Sequence, residues 1–90
     1  MSGAARTVAV TNKRGLHARA SAKFVTLAAQ SSATVEVEKD GNSVCGTSIM
    51  GLMMLGAAKG DSIVIHVSGD CADDALQRLI DLIEAKFGED

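Results

Sequence analysis

The sequence predicts an α+β fold in which a four-stranded antiparallel sheet carries three helices on one face, in the order β-α-β-β-α-β-α. Two observations carry this prediction. The hydrophobic period switches between two residues and about 3.6 along the chain. The short strands also alternate apolar with polar residues, as a sheet with one buried and one wet face requires. Ninety residues with no proline, charge block or composition shift fit a single domain over residues 1–90. A chain of this size buries only about 60–65% of its unfolded surface, so its core must be compact. Hydrophobic residues make up 47% of the chain and aromatics 2%, so that core is built from Val, Ile, Leu, Met and Ala, with Phe24 and Phe87 as the only rings.

The elements follow in order. Val8 and Val10 alternate with Thr7, Ala9 and Thr11, which predicts a strand, and Asn12 to Gly15 reads as a loop. A helix begins around His17, with Ser21, Phe24, Val25 and Ala28 on one stripe. In the next segment Ala33, Val35 and Val37 point one way, and Thr34, Glu36 and Glu38 the other. Asp40-Gly41 then supplies a hairpin turn into a strand through Val44. Thr47 or Ser48 can cap a short helix that glycine ends. Ile63, Ile65 and Val67 form a strand face opposite Val64 and His66. The last helix follows Asp70, carries Asp73 and Asp74 in its first turn, and runs through Leu76, Leu79, Ile80, Ile83 and Phe87 before Gly88 ends it. Ferredoxin-like sandwiches of many functions share much of this order, so the fold alone names no activity.

Composition excludes several classes of function. A net charge of −2 offers no basic field for nucleic acid, and two aromatic residues give little for bases to stack on. No apolar run approaches a membrane span, and the N-terminal MSGAARTV lacks a signal peptide's apolar segment, so a cytosolic location is expected. Cys45 and Cys71 read as free thiols of a reducing compartment. His66 reads as a solvated strand histidine, and no ligand spacing among the cysteines and histidines supports a metal. No cofactor is expected.

The informative stretch is GLHARAS, residues 15–21. With a helix starting at or just after His17, the unpaired amides of Ala18 and Arg19 point back toward the imidazole, and the positive end of the helix lies beneath it. That site favours an anion and a ring nitrogen that keeps its lone pair, which nucleophilic attack requires. Arg19 adds a guanidinium able to grip phosphate oxygens in a bidentate way. A solvent-exposed histidine with a chance arginine neighbour accounts for the residue types about equally well.

NKRGLHARASAKFV, together with the later GTSIMGLMMLGAAKGD, closely resembles the histidine-containing phosphocarrier (HPr) family of the bacterial phosphoenolpyruvate-dependent phosphotransferase system. The resemblance runs in order from about Val8 to Phe87. It implies the HPr-like open-faced β-sandwich. It also implies that His17 accepts a phosphoryl group on Nδ1 from phosphorylated Enzyme I and passes it to a histidine of an enzyme IIA-type acceptor. Arg19 and the helix-start amides, Ala18 among them, would stabilise the group in transit. One departure is visible: Ala20 follows Arg19 where many members carry proline, whose preset φ suits a first helical turn. Alanine keeps the helix without that rigidity.

The second motif contains IMGLMMLGA, nine residues with no charge. At helical spacing Leu52 and Leu55 face inward while Ile49, Met50 and Met53 stay partly outside, and flexible methionines suit a surface that docks several partners. Burial of the helix on all sides is the other reading. In the resembled family this helix contacts Enzyme I and the acceptors, so Ile49, Met50 and Met53 are expected at the docking surface, extended by Leu16 and Ala20. The resemblance also places Ser48 at the family's regulatory serine, the substrate of the ATP-dependent HPr kinase/phosphorylase. A monomer is expected. The competing function is a regulatory or anion-binding α+β domain that acts by stoichiometric protein binding and carries no phosphoryl group.

Overall fold

The computed structural model describes residues 3–89. Its elements are β1 (Gly3–Ala9), α1 (Ala18–Ala29), β2 (Thr34–Lys39), β3 (Asn42–Cys45), α2 (Ile49–Met54), β4 (Ser62–Ser68) and α3 (Ala72–Glu84), followed by a short turn at Lys86–Gly88. The strands form one antiparallel sheet in the order β1-β4-β2-β3. The hairpin of β2 and β3 pairs Lys39 with Asn42 across Asp40 and Gly41, whose φ values of 52° and 83° match the twist of the flanking strands.

Alternation decides the two faces of the sheet. Val8, Val35, Val37, Ile63, Ile65 and Val67 are buried under the helices, where Phe24 and Ala28 of α1, Leu52 of α2 and Leu79 and Ile83 of α3 meet them. Thr34, Glu36 and His66 stay exposed on the other face, where His66 Nε2 and Glu38 Oε1 lie 3.0 Å apart. Cys45 and Cys71 are exposed and free. Among the described residues no helix is long and apolar enough to cross a membrane, and no group of three or more His, Cys, Asp or Glu is placed to hold a metal ion.

Two details differ from the sequence pattern. The final helix stops at Glu84, and Phe87 reaches the core by another route. Lys86, Phe87 and Gly88 turn left-handed, with φ of 56°, 56° and 76°, and this swings the Phe87 ring into full burial. Lys23 Nζ donates to the Phe87 carbonyl at 2.6 Å and pins the turn to α1. At the other end of α3, Cys71 occupies the cap position with φ 58° and makes no side-chain cap hydrogen bond. The choice between Thr47 and Ser48 also resolves, because Ser48 Oγ accepts the Gly51 amide at 3.0 Å and caps α2.

The loop before α1 is held by backbone contacts. Gly15 has φ 63°, and the Leu16 amide donates to the Ala57 carbonyl at 2.9 Å. A Cβ on Gly15 would stand 2.2 Å from that carbonyl oxygen and 2.8 Å from Ala58 Cα, both backbone atoms that cannot step aside alone. Gly15→Ala is therefore expected to lower stability by roughly 2–4 kcal/mol through a left-handed penalty plus a backbone clash. Urea unfolding read by circular dichroism measures this, and a loss under about 0.5 kcal/mol would contradict the close approach.

Candidate functional site

His17 is the N-cap of α1. Its backbone is extended (φ −75°, ψ −178°), its carbonyl accepts the Ser21 amide at 2.9 Å, and its Nδ1 accepts the Arg19 amide at 3.2 Å. Histidine is an unusual cap, but its ring nitrogen does what a serine or aspartate oxygen does elsewhere, satisfying one orphan donor of the first turn. The contact also assigns the ring. An Nδ1 that accepts a hydrogen bond carries a lone pair, so the proton of the neutral ring resides on Nε2. Nε2 donates to Glu89 Oε2 at 2.6 Å. The neighbouring Leu16 is fixed by its amide on Ala57 and by its carbonyl, which accepts the buried Ser21 hydroxyl at 3.2 Å.

Ala18 and Arg19 follow, both exposed at the helix start. The Arg19 guanidinium forms no ion pair among the described residues, so it is available to an incoming anion beside His17. The helix terminus adds about 0.3–1 kcal/mol of favourable field for such an anion at an exposed site. A field of that size holds an anion only weakly.

Glu89 was not anticipated from the sequence. It stands 72 positions from His17, beyond the reach of any periodicity argument. The left-handed turn at Lys86–Gly88 brings it back to the start of α1, and the only sequence sign of that route is the apolar Phe87 that anchors it. The carboxylate is held twice, because Asn12 Nδ2 donates to Oε1 at 3.2 Å and also to the Gly15 carbonyl at 2.9 Å. Asn12, read as a loop residue, is fully buried, and its Oδ1 has no partner. Burial pushes the Glu89 carboxyl up, but hydrogen bonds from Asn12 and His17, with the positive charge of Lys23 nearby, outweigh it and hold the group below its ordinary value. Glu89 is thus ionised at neutral pH. The His17 and Glu89 side chains remain 16% and 15% accessible.

The apolar patch divides as the helical period requires. Leu52 is completely buried and Leu55 half-buried, whereas Ile49, Met50 and Met53 are 40%, 72% and 44% exposed. Met54, at 79%, belongs to the same surface and was not foreseen. Leu16 and Ala20 do not extend it. Leu16 packs into the core once its amide is tied to Ala57, and Ala20 lies on the inward stripe of α1 with Phe24, so neither offers a side chain to a partner. Ser48 is half-buried at the start of α2, immediately before Ile49.

Known proteins match this arrangement over nearly the whole chain. The family model for the PTS HPr component phosphorylation site matches residues 4–85. The phosphocarrier protein HPr of Neisseria meningitidis is 48% identical over 84 residues, 93% of this chain and 94% of that protein. The corresponding protein of Pseudomonas aeruginosa is 45% identical over 83 residues, 91% of this chain and 92% of its own length. Among solved structures, an HPr of Thermoanaerobacter tengcongensis superposes with a TM-score of 0.91 at 43% identity, covering 100% of this chain and 99% of that one. The family match over residues 4–85, the identity over nearly the whole chain and the fold agree, and the chain belongs to the HPr family, the phosphocarriers of the phosphotransferase system.

Proposed function

We propose that His17 Nδ1 accepts a phosphoryl group from phosphorylated Enzyme I and delivers it to a histidine of an enzyme IIA-type acceptor, in the cytoplasm and as a monomer. The observation that carries this reading is the Arg19 amide on Nδ1, which marks that nitrogen as the one with a lone pair at the mouth of a helix. That hydrogen bond occupies the lone pair, so it opens as phosphorus arrives, and the freed amide can turn to a phosphoryl oxygen. In the step, the Nδ1 lone pair forms a bond to phosphorus as the bond from phosphorus to the donor's nitrogen breaks, and the donor nitrogen keeps that electron pair. Arg19 and the amides of Ala18 and Arg19 face the phosphoryl oxygens, whose charge is where positioned cations and dipoles act in such transfers. Ile49, Met50, Met53 and Met54 supply the apolar ground on which both partners seat, and methionine lets one surface fit two shapes.

Ser48 regulates this traffic in the same reading, through HPr kinase/phosphorylase. A phosphate on its oxygen adds about −1.5 to −2 charges beside Ile49 and Met50. The chain's fold tolerates the group at the start of α2, but an apolar or acidic partner surface does not.

Incubation with Enzyme I and phosphoenolpyruvate is expected to give an acid-labile, alkali-stable phosphoryl adduct that His17→Ala abolishes; an unlabelled wild-type chain beside an active Enzyme I control would refute the carrier reading. Arg19→Ala should accept phosphate about a hundredfold more slowly while remaining folded, as stopped-flow or quench kinetics can show. Ser48→Asp should slow Enzyme I-dependent labelling without altering the circular dichroism spectrum, and equal rates would count against regulation at this serine. Ser48→Ala tests the cap separately, with an expected stability loss of about 0.5–2 kcal/mol and near-normal transfer.

A further inference from the structure

The carrier reading uses Nδ1 of His17 and leaves Nε2 without a task, yet Nε2 makes the shortest contact of the site, 2.6 Å to Glu89 Oε2. The chain reaches that contact through a conformation that L side chains disfavour, since Lys86 and Phe87 both have φ of 56°. Three interactions hold it there. Phe87 is buried at 1% exposure, Lys23 Nζ donates to the Phe87 carbonyl at 2.6 Å, and Asn12 Nδ2 donates to Glu89 Oε1 at 3.2 Å. Asn12 itself is 0% exposed, with its amide turned so that both donations are made and Oδ1 is left unpaired. The opposite turn would face its oxygen against a carbonyl and a carboxylate, so the orphaned acceptor is the consequence of presenting Glu89 to the ring.

We propose that Glu89 is a positioning residue for phosphoryl transfer: it holds His17 with the proton on Nε2 and the lone pair on Nδ1, and it faces the positive charge that the ring gains when Nδ1 bonds phosphorus. This rests on the carrier reading. When the nitrogen–phosphorus bond forms, Nε2 keeps its proton and the ring becomes an N-phosphoryl imidazolium. The Glu89 carboxylate then lies against a full positive charge in place of a neutral N–H. Its hydrogen bond strengthens along the reaction coordinate, which is the condition for accelerating a step. A carboxylate that orients and charge-balances a histidine in this way is the logic of the serine protease triad, with phosphorus in place of an acyl carbon.

The test separates orientation from charge in the full chain. Glu89→Gln retains an acceptor for Nε2–H and removes the charge, whereas Glu89→Ala removes both. With Enzyme I as the enzyme and the chain as its substrate, Glu89→Ala is expected to lower kcat by about 10- to 100-fold, with Glu89→Gln between it and the wild type. KM should hold in both, because Glu89 lies outside the Ile49, Met50, Met53 and Met54 surface. Proton NMR should show a downfield His17 ring N–H in the wild type and in Glu89→Gln, lost in Glu89→Ala. Equal kcat values for the wild type and both variants, or no such resonance in the wild type, would overturn the role of Glu89 while leaving the carrier reading intact. A wild type that takes no label refutes the carrier reading itself.

Discussion

The first turn of α1 presents backbone amides that have no acceptor within the helix, and His17 Nδ1 answers the one at Arg19. Much of the site follows from that hydrogen bond. It holds the imidazole at the helix mouth, keeps a lone pair on Nδ1 and sends the ring proton to Nε2, where Glu89 receives it. A helix cap and a nucleophile are usually separate demands on a chain. In the carrier reading proposed above, the His17 side chain meets both.

The rest of the molecule holds this junction still with few materials. The core is nearly free of aromatics, and its two rings are placed where they matter to the site: Phe24 on the buried stripe of α1 and Phe87 in the turn that leads to Glu89. The loop ahead of His17 gains its rigidity from backbone contact with Ala57, which the absent side chain of Gly15 permits. Helix α2 is too short to bury more than a narrow stripe. Leu52 anchors it, and Ile49, Met50, Met53 and Met54 are left exposed on a helix that packs against α1. Exposed apolar side chains grouped in this way are the kind of surface on which proteins dock.

Particular residues show how far the sequence could be read. The strand faces were legible because Val35, Val37, Ile63, Ile65 and Val67 alternate with polar neighbours, and a half-buried sheet admits one register for that pattern. The positions of His17, Arg19 and Ser48 at helix starts were legible because helix capping depends on local spacing. Leu16 and Ala20 were misjudged because nearness to the histidine in sequence says nothing of direction, and both point into the core. Phe87 was correctly placed as a buried residue and wrongly placed in the helix, since burial at the next position of a stripe looks the same whether a helix or a left-handed turn delivers it.

What the sequence by itself determined is therefore the local and the periodic: the order of strands and helices, the inner face of each, the helix start that carries His17 and Arg19, and the family. The tertiary structure decided which of the two ring nitrogens keeps its lone pair, which hydrophobic side chains remain for a partner, and that Glu89 and a fully buried Asn12 belong to the site. Those are outcomes of contacts between distant segments. A hydrogen bond across 72 residues depends on the path of the chain between them, and no local propensity encodes that path.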